Sequence, residues 1–311
     1  MKTVKAVAPY VYKGKCNFKH SLYEAWNQMG GKTASCHYPW RIFHSLAYKC
    51  DLPHLPKHSK EARLRFVSGF SIQFDTYPDY ARYEIIPVIW DCWPAQVPNV
   101  LNFMHKHNVR TSIFMSSQMA DNFRKSLPDM NVLTITEGVN ILLYSKGKEL
   151  SKRNIDILEV GRGWVDFFNT PLPDGIKHIK TGNFARVFNT DEEFRLALAD
   201  TKVTINVPRC DVDSKSAGNI ETLTQRYWEC MLSRVVMVGR APRELINLIG
   251  YNPVIDWNGK DATPLVTEIL SDITNYQELV DKNYTTALKM SSWNIRVKQI
   301  MDYLTEKGYM V

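Results

Sequence analysis

The sequence predicts an α/β protein made of two successive domains, each a mostly parallel sheet covered by helices. Short β-branched runs alternate with amphipathic stretches in both halves of the chain, the rhythm of βα units. The chain has 311 residues, and at roughly 100–200 residues per domain two domains are the default. A polar, charged stretch from Ser145 to Arg153 separates the two halves. It sets the expected division at an N-terminal domain 1–145 and a C-terminal domain 146–311.

In the first half, Val4–Tyr10 reads as a strand. His20–Met29 reads as a helix with Leu22, Ala25 and Trp26 on one face, and Gly30-Gly31 ends it as C-cap glycines do. Lys32–His37 is a candidate strand. Residues 38–65 are rich in Pro, His and Lys and resist assignment. Glu84–Trp90 is a strand by its β-branched run, Val100–His107 a helix, Val109–Met115 a strand, Gln118–Ser126 a helix and Val132–Ile135 a strand. The second half continues with strands at Asp156–Val160 and Ile176–Lys180 and a helix at Asp191–Ala199, capped by Thr190 or Asp191. Val203–Val207 is a strand, Thr222–Leu232 a helix, Val235–Gly239 a strand and Pro242–Ile249 a helix. Pro264–Tyr276 and Tyr284–Leu304 read as terminal helices. Open parallel sheets bind ligands at the carboxyl ends of their strands, and two of them facing each other would make a cleft.

Composition narrows the function classes. The chain is 44% hydrophobic and 23% charged, ordinary for a globular protein. Its longest apolar runs, such as Val235–Val238, fall far short of the ~20 residues of a membrane span. The first residues read as a strand and not as a signal peptide, so the expected location is the cytoplasm. The six cysteines, at 16, 36, 50, 92, 210 and 230, show no C-x-x-C spacing, and the eight histidines complete no zinc pattern. Six reduced thiols and no metal are expected. The net charge of +7 is concentrated at the start, since residues 1–65 carry 12 Lys and Arg against 3 Asp and Glu. Such a patch suits an anionic partner such as lipid headgroups, a phosphorylated acceptor or nucleic acid; a solvated basic face is the plainer alternative. Trp40, Phe43 and the nearby lysines fit either a peripheral membrane contact or an internal packing face.

Three stretches carry a family resemblance. Thr111–Ser117, followed by Ile135-Thr-Glu-Gly-Val-Asn140, is similar to the last N-domain strand and the "P-x-G-[VI]-[DN]" link of the GT-B glycosyltransferases, specifically the retaining family 4-like group. Glu159-Val160-Gly161-Arg162 is similar to that group's "vGR". Glu221 and Glu229, with seven residues between them, match its E-x7-E motif, and Arg234–Pro242 is similar to the strand that follows. The similarity spans roughly residues 110–311; before that only the rhythm matches. The resemblance implies a GT-B fold of two Rossmann-like domains facing across a cleft, with a terminal helix, about 284–306, packing back on the N-domain. It implies transfer of a hexose-type sugar from a nucleotide-diphosphate sugar, such as a UDP- or GDP-sugar, to an acceptor hydroxyl. Anomeric configuration would be retained, with no metal and no cofactor.

The chemistry suits the residues. The departing diphosphate must be stabilised by cations and a helix N-terminus if no metal helps. Arg162, just past a strand end, could grip phosphate oxygens in two places, and the amides of Thr222, Leu223 and Thr224 would supply the helix start. A helix from 221 to 229 rises ~12 Å, so the two carboxylates would hold opposite ends of one ligand. The resemblance places Glu221 near the hexose hydroxyls and Glu229 on the ribose diol, for which a carboxylate is a natural partner. Both could equally be ordinary helix carboxylates. Arg226 could reach the phosphates or pair with Glu229 at i,i+3. Arg209 follows the strand 203–207 and faces the same crevice in this fold, and Asn183 sits where the family's backbone meets the nucleobase.

The departures from the family are specific. Leu223-Thr224 replaces the usual "F-G" dipeptide. Phe167 stands where a lysine often follows "GR", leaving Arg226, Arg209 or Lys215 to replace that charge. In place of an N-domain histidine the turn is Trp90-Asp91-Cys92-Trp93-Pro94, where Asp91 could orient an acceptor hydroxyl, act as base, or cap the next turn. Two other functions stay open. One is a polyanion- or nucleic-acid-binding protein using the basic first 65 residues; the other is a nucleotide-sugar epimerase on the same fold. A glycosidase is disfavoured by the ~12 Å helical rise, since its carboxyls must lie about 5–9.5 Å apart.

Overall fold

A computed structural model describes residues 1–9, 18–35, 56–161, 165–182 and 187–311. The chain divides into two compact units, one of residues 1–137, 216–220 and 293–311, the other of 138–215 and 221–292. The expected division at 145/146 therefore falls at 137/138, ahead of the polar stretch 145–153, which belongs to the second unit.

The first unit is built on a parallel sheet. Its strands are β1 (Lys2–Val7), β2 (Thr33–Ala34), β3 (Glu61–Ser68), β4 (Glu84–Trp90), β5 (Thr111–Phe114) and β6 (Asn131–Thr134), with a short C-terminal strand, Tyr309–Met310. The spatial order is Tyr309–Met310, β1, β3, β4, β5, β6, and β2 also pairs with β1. Registers such as Val4↔Ala62, Leu64↔Ile86 and Val88↔Ile113 are all parallel. Every residue of β4 is buried, as in a parallel sheet covered on both faces. Alternate side chains go to opposite layers. Ile86, Val88 and Trp90 join Leu64, Trp26 and Trp293 on one face, while Ile85 and Ile89 join Phe103, Phe114 and Phe123 on the other. Each fully buried aliphatic of this kind contributes about 1.5–3 kcal/mol.

β3 is the strand the sequence concealed, at the end of the unassigned stretch. Its charged residues break the apolar pattern, yet Arg63 and Arg65 are each only 7% exposed. Arg63 donates to Glu61 at 2.8 Å and lies over the Tyr83 ring; Arg65 donates to Asp79 Oδ2 at 2.8 Å and to the Asp75 carbonyl. Buried guanidiniums are tolerated because their donors are satisfied.

The second unit is a second parallel sheet, ordered β11 (Ile255–Asp256), β10 (Val236–Gly239), β9 (Thr201–Asn206), β7 (Ile155–Glu159), β8 (His178–Lys180). The same alternation sends Val236 and Val238 to one layer and Met237 to the other.

Two expected helices change. The stretch 284–304 is interrupted at Ser291–Ser292, giving Gln277–Met290 and Trp293–Glu306. Ser291 is fully buried and its hydroxyl donates back to the Ala287 carbonyl at 2.7 Å, the local bond by which serine competes with helix continuation. Only the second segment belongs to the first unit, where Trp293, Val297, Ile300 and Leu304 enter the core. The stretch 222–232 is helical only from Gln225, with Thr224 as its N-cap. The strand at Val4–Tyr10 is observed as Lys2–Val7, and Tyr10 lies outside the described residues, as do Trp40, Phe43 and Cys16, Cys36 and Cys50.

Candidate functional site

The motif glutamates sit in two different local settings of the second unit. Glu221 occupies the non-helical segment ahead of the helix Gln225–Leu232. It is drawn to the ends of β9 and β10 by Arg240. That arginine directly follows Gly239, whose φ of 140° and close approach to Asn206 leave no room for a side chain: an added Cβ would lie 2.0 Å from the Asn206 carbonyl oxygen. The Arg240 amide donates to that same carbonyl at 2.9 Å. Its guanidinium then faces two carboxylates. Nη1 donates to Glu221 Oε1 at 2.7 Å, and Nε and Nη2 grip Asp211, each at 2.7 Å. The other Glu221 oxygen accepts the Arg243 amide at 2.9 Å. Burial works to raise the Glu221 pKa, but the Arg243 amide and the Arg240 guanidinium outweigh it and hold the carboxyl below its ordinary range. Arg240 is correspondingly held charged by Asp211 and Glu221.

Glu229 stands one turn into the helix. Its Oε1 accepts the Tyr144 hydroxyl at 2.7 Å and its Oε2 pairs with Arg226 at 2.8 Å. The Arg226 guanidinium also lies over the Phe194 ring, 4.8 Å from its centre. The inward face of this helix, Tyr227, Trp228, Cys230, Met231 and Leu232, is buried. It fixes the direction in which the carboxylate leaves the helix. Burial and the Glu229 charge together drive the Tyr144 pKa up, so the phenol stays a donor.

The remaining sequence-predicted residues divide by setting. Leu223 is fully buried and its amide donates to Glu244 Oε2 at 3.1 Å; Thr222 is half-buried and Thr224 exposed. The helix therefore does not begin with the amides of 222–224, and the helical separation of ~12 Å does not apply between Glu221 and Glu229. Burial of Leu223 is the physical reason: it pins the segment before the first turn. Arg209 pairs with Asp213 Oδ2 at 2.9 Å. Arg226 is the i,i+3 partner of Glu229. Lys215 is exposed in the short helix Ser214–Ala217. Arg162 and Asn183 lie outside the described residues.

In the first unit, Asp91 follows β4 with φ 46° and is exposed. Aspartate is among the few residues other than glycine that enter this left-handed region, and such positions gather at functional sites. Much of the described basic start of the chain is used internally. Lys2 pairs with Glu84, Lys5 and Arg63 with Glu61, Lys19 with Asp75 and Arg65 with Asp79. Lys57 donates to the Tyr80 and Tyr83 carbonyls. Among the described residues no three His, Cys, Asp or Glu side chains gather as a metal set, and no helix is long and apolar enough to cross a membrane.

Arg240 and Tyr144, which hold the two glutamates, were not singled out in the sequence. Arg240 had a signal, its place directly after a glycine that ends a strand. Tyr144 had none, because 85 positions separate it from Glu229.

Two parallel α/β units, with the final helix returned to the first, define the GT-B fold of glycosyltransferases. Solved structures of that class match the chain from end to end. One is the Anabaena protein HepE in complex with UDP and glucose, 10% identical, with a TM-score of 0.62 over 98% of this chain and 100% of that one. Sucrose-phosphate synthase from Thermosynechococcus elongatus is 11% identical, with a TM-score of 0.57 and 99% of each chain covered. A glycosyltransferase from Rickettsia africae, 11% identical, matches with a TM-score of 0.54 over 99% of each chain. No family model and no curated protein matches the sequence.

Proposed function

We propose that the chain is a glycosyltransferase that moves a hexose-type sugar from a nucleotide-diphosphate sugar, a UDP-sugar foremost, to an acceptor hydroxyl, with retention and without a metal. The observation that carries this reading is the arrangement of Glu221 and Glu229 in the second unit of a GT-B fold. One carboxylate is held by Arg240 where β9 and β10 end, the other by Tyr144 and Arg226 on the next helix. The structures of HepE with UDP-glucose and with UDP and glucose support the donor class.

In this reading Glu229 accepts the two ribose hydroxyls. A carboxylate offers about four lone-pair sites, so Tyr144 and Arg226 leave capacity for a diol. Glu221, kept ionised by its partners, accepts hydroxyls of the sugar. The C1–O bond to the diphosphate breaks, a C1–O bond to the acceptor forms on the same face, and the developing phosphate charge meets cations. Arg162, Arg226 and Arg209 fill that role, with Asn183 beside the base. Asp91 orients the acceptor hydroxyl or takes its proton.

The test is a thermal shift panel of UDP, GDP, ADP and CMP with their sugars, run with and without EDTA. A ligand at 100 times its Kd adds about 2.7 kcal/mol of stability. A shift with one nucleotide family that survives EDTA supports the reading. Failure of every nucleotide and nucleotide-sugar to stabilise the protein sinks it.

A further inference from the structure

The first unit contains a cavity of about 300 Å³ lined by polar side chains, among them Gln73, Asn99, Asn102, Lys106 and His107, with Phe70 at its edge. All its lining residues belong to that unit, so it is independent of the glutamates. We infer that this cavity is a carbohydrate-binding site that takes a single pyranose unit.

Its origin is local. Gly69 follows β3, and its amide donates to the Trp90 carbonyl at 2.8 Å. An added Cβ there would lie 2.7 Å from the Cys92 backbone, so only glycine lets the chain pass. The tight passage turns the next residue outward. Phe70 is left 62% exposed, a large aromatic that contributes nothing to the core. Opposite it runs the helix Val97–Lys106, where Val100, Phe103 and Met104 face inward. Asn99, Asn102 and Lys106, at i, i+3 and i+7, share the outer face. His107, 5% exposed, closes the end.

The chemistry of the lining selects the ligand. Asn99 and Asn102 each carry a primary amide with two donors and a carbonyl acceptor, which matches hydroxyl groups that both donate and accept. An exposed ring beside such amides suits the apolar C–H face of a pyranose. The cavity is at the small end of the roughly 300–1,000 Å³ of ligand pockets, room for one pyranose ring. It is too polar for an apolar ligand, whose pockets are mostly hydrophobic. A phosphate site would gather several cations, and here Lys106 is the one lysine in the lining, with no arginine.

The test is saturation-transfer difference NMR on the full chain with a panel of methyl pyranosides (glucoside, galactoside, mannoside and N-acetylglucosaminide) and no nucleotide. At least one is expected to give ring-proton signals. Those signals should fall at least ~5-fold in Asn102→Ala or Phe70→Ala, the size expected for one lost hydrogen bond or stacking contact. Both positions are exposed, and alanine is the better helix former at 102, so the variants should stay folded. Absence of signal from every pyranoside at about 100 times the protein concentration, or signals unchanged in both variants, overturns the inference. Its failure is separable from that of the transferase reading. A nucleotide shift without pyranoside signals removes only this site, and the reverse removes only the transfer.

Discussion

Replacing Glu229 with alanine separates a binding role from a structural one, because the structure fixes what the carboxylate does before any ligand arrives. Two bonds disappear. The Tyr144 hydroxyl, 2.7 Å from Oε1, loses its acceptor, and a half-buried phenol without a partner costs about 1–2 kcal/mol. The ion pair with Arg226, whose side chain is 34% exposed, contributes at most about 1 kcal/mol after solvent screening. The expected loss of stability is therefore about 1–3 kcal/mol, or roughly 2–12 °C in Tm at about 2–4 °C per kcal/mol. If Glu229 also accepts two ribose hydroxyls, each charge-assisted bond is worth about 1.5 kcal/mol or more. The nucleotide Kd should then rise at least ~100-fold. Titration calorimetry with UDP, below the lowered Tm, reads the second quantity. Tyr144→Phe is the control, because it removes the phenol but leaves the carboxylate, and in the double variant it should restore the share of stability due to the orphaned hydroxyl. A folded Glu229→Ala protein that binds UDP within about threefold of the parent would refute the ribose role and leave Glu229 a purely structural partner of Tyr144.

Three further outcomes follow from the geometry. Gly239→Ala should cost at least ~3 kcal/mol by chemical denaturation, since its φ is 140° and the new Cβ would meet the Asn206 carbonyl at 2.0 Å; a loss under about 1 kcal/mol would mean the turn relaxes freely. Glu61, hydrogen-bonded to Lys5 and Arg63, has its pKa lowered from 4.5 to about 2. Because the folded value is depressed, its stabilisation is present above 4.5 and fades as pH falls towards 2. The Tm gap between the parent and Glu61→Gln should therefore shrink as pH falls through that window, and a gap that widens contradicts the assignment. Burial pushes the Cys92 thiol up to about 12, and Cys230 is fully buried and raised as well. Peptide mass spectrometry after native alkylation should find both unmodified, since only the thiolate reacts; labelling of Cys92 in the folded protein would show that its surroundings open.

Much of the architecture was legible in the sequence because parallel strands buried on both faces leave unbroken apolar runs. Glu84–Trp90 and Asp191–Ala199 were assigned to the residue, and of the two caps offered for the helix, Thr190 or Asp191, it is Thr190 that caps it. β3 was not legible, because Arg63 and Arg65 owe their burial to Glu61, Asp75 and Asp79, and a window along the chain does not see side-chain neutralisation. The start of the helix at Gln225 was missed for a related reason. Residues 222–224 have no local helix breaker, and it is the burial of Leu223 and its bond to Glu244 that hold them out of the helix. The motif spacing located the glutamates, but their partners Arg240 and Tyr144 are brought in by tertiary structure.

The return of the final helix has a consequence for synthesis. Domains ordinarily complete themselves in order as the chain leaves the ribosome. Here the first unit lacks Trp293, Val297, Ile300 and Leu304 from its core, and the strand that pairs Tyr309 with Lys2, until the last part of the chain has been made. The whole of the second unit lies between 138 and 292, and its ends meet where the Val139 amide donates to the Ser291 carbonyl at 2.8 Å. The half that begins second is thus able to finish first. Until then the nascent first half waits with part of its apolar sheet uncovered.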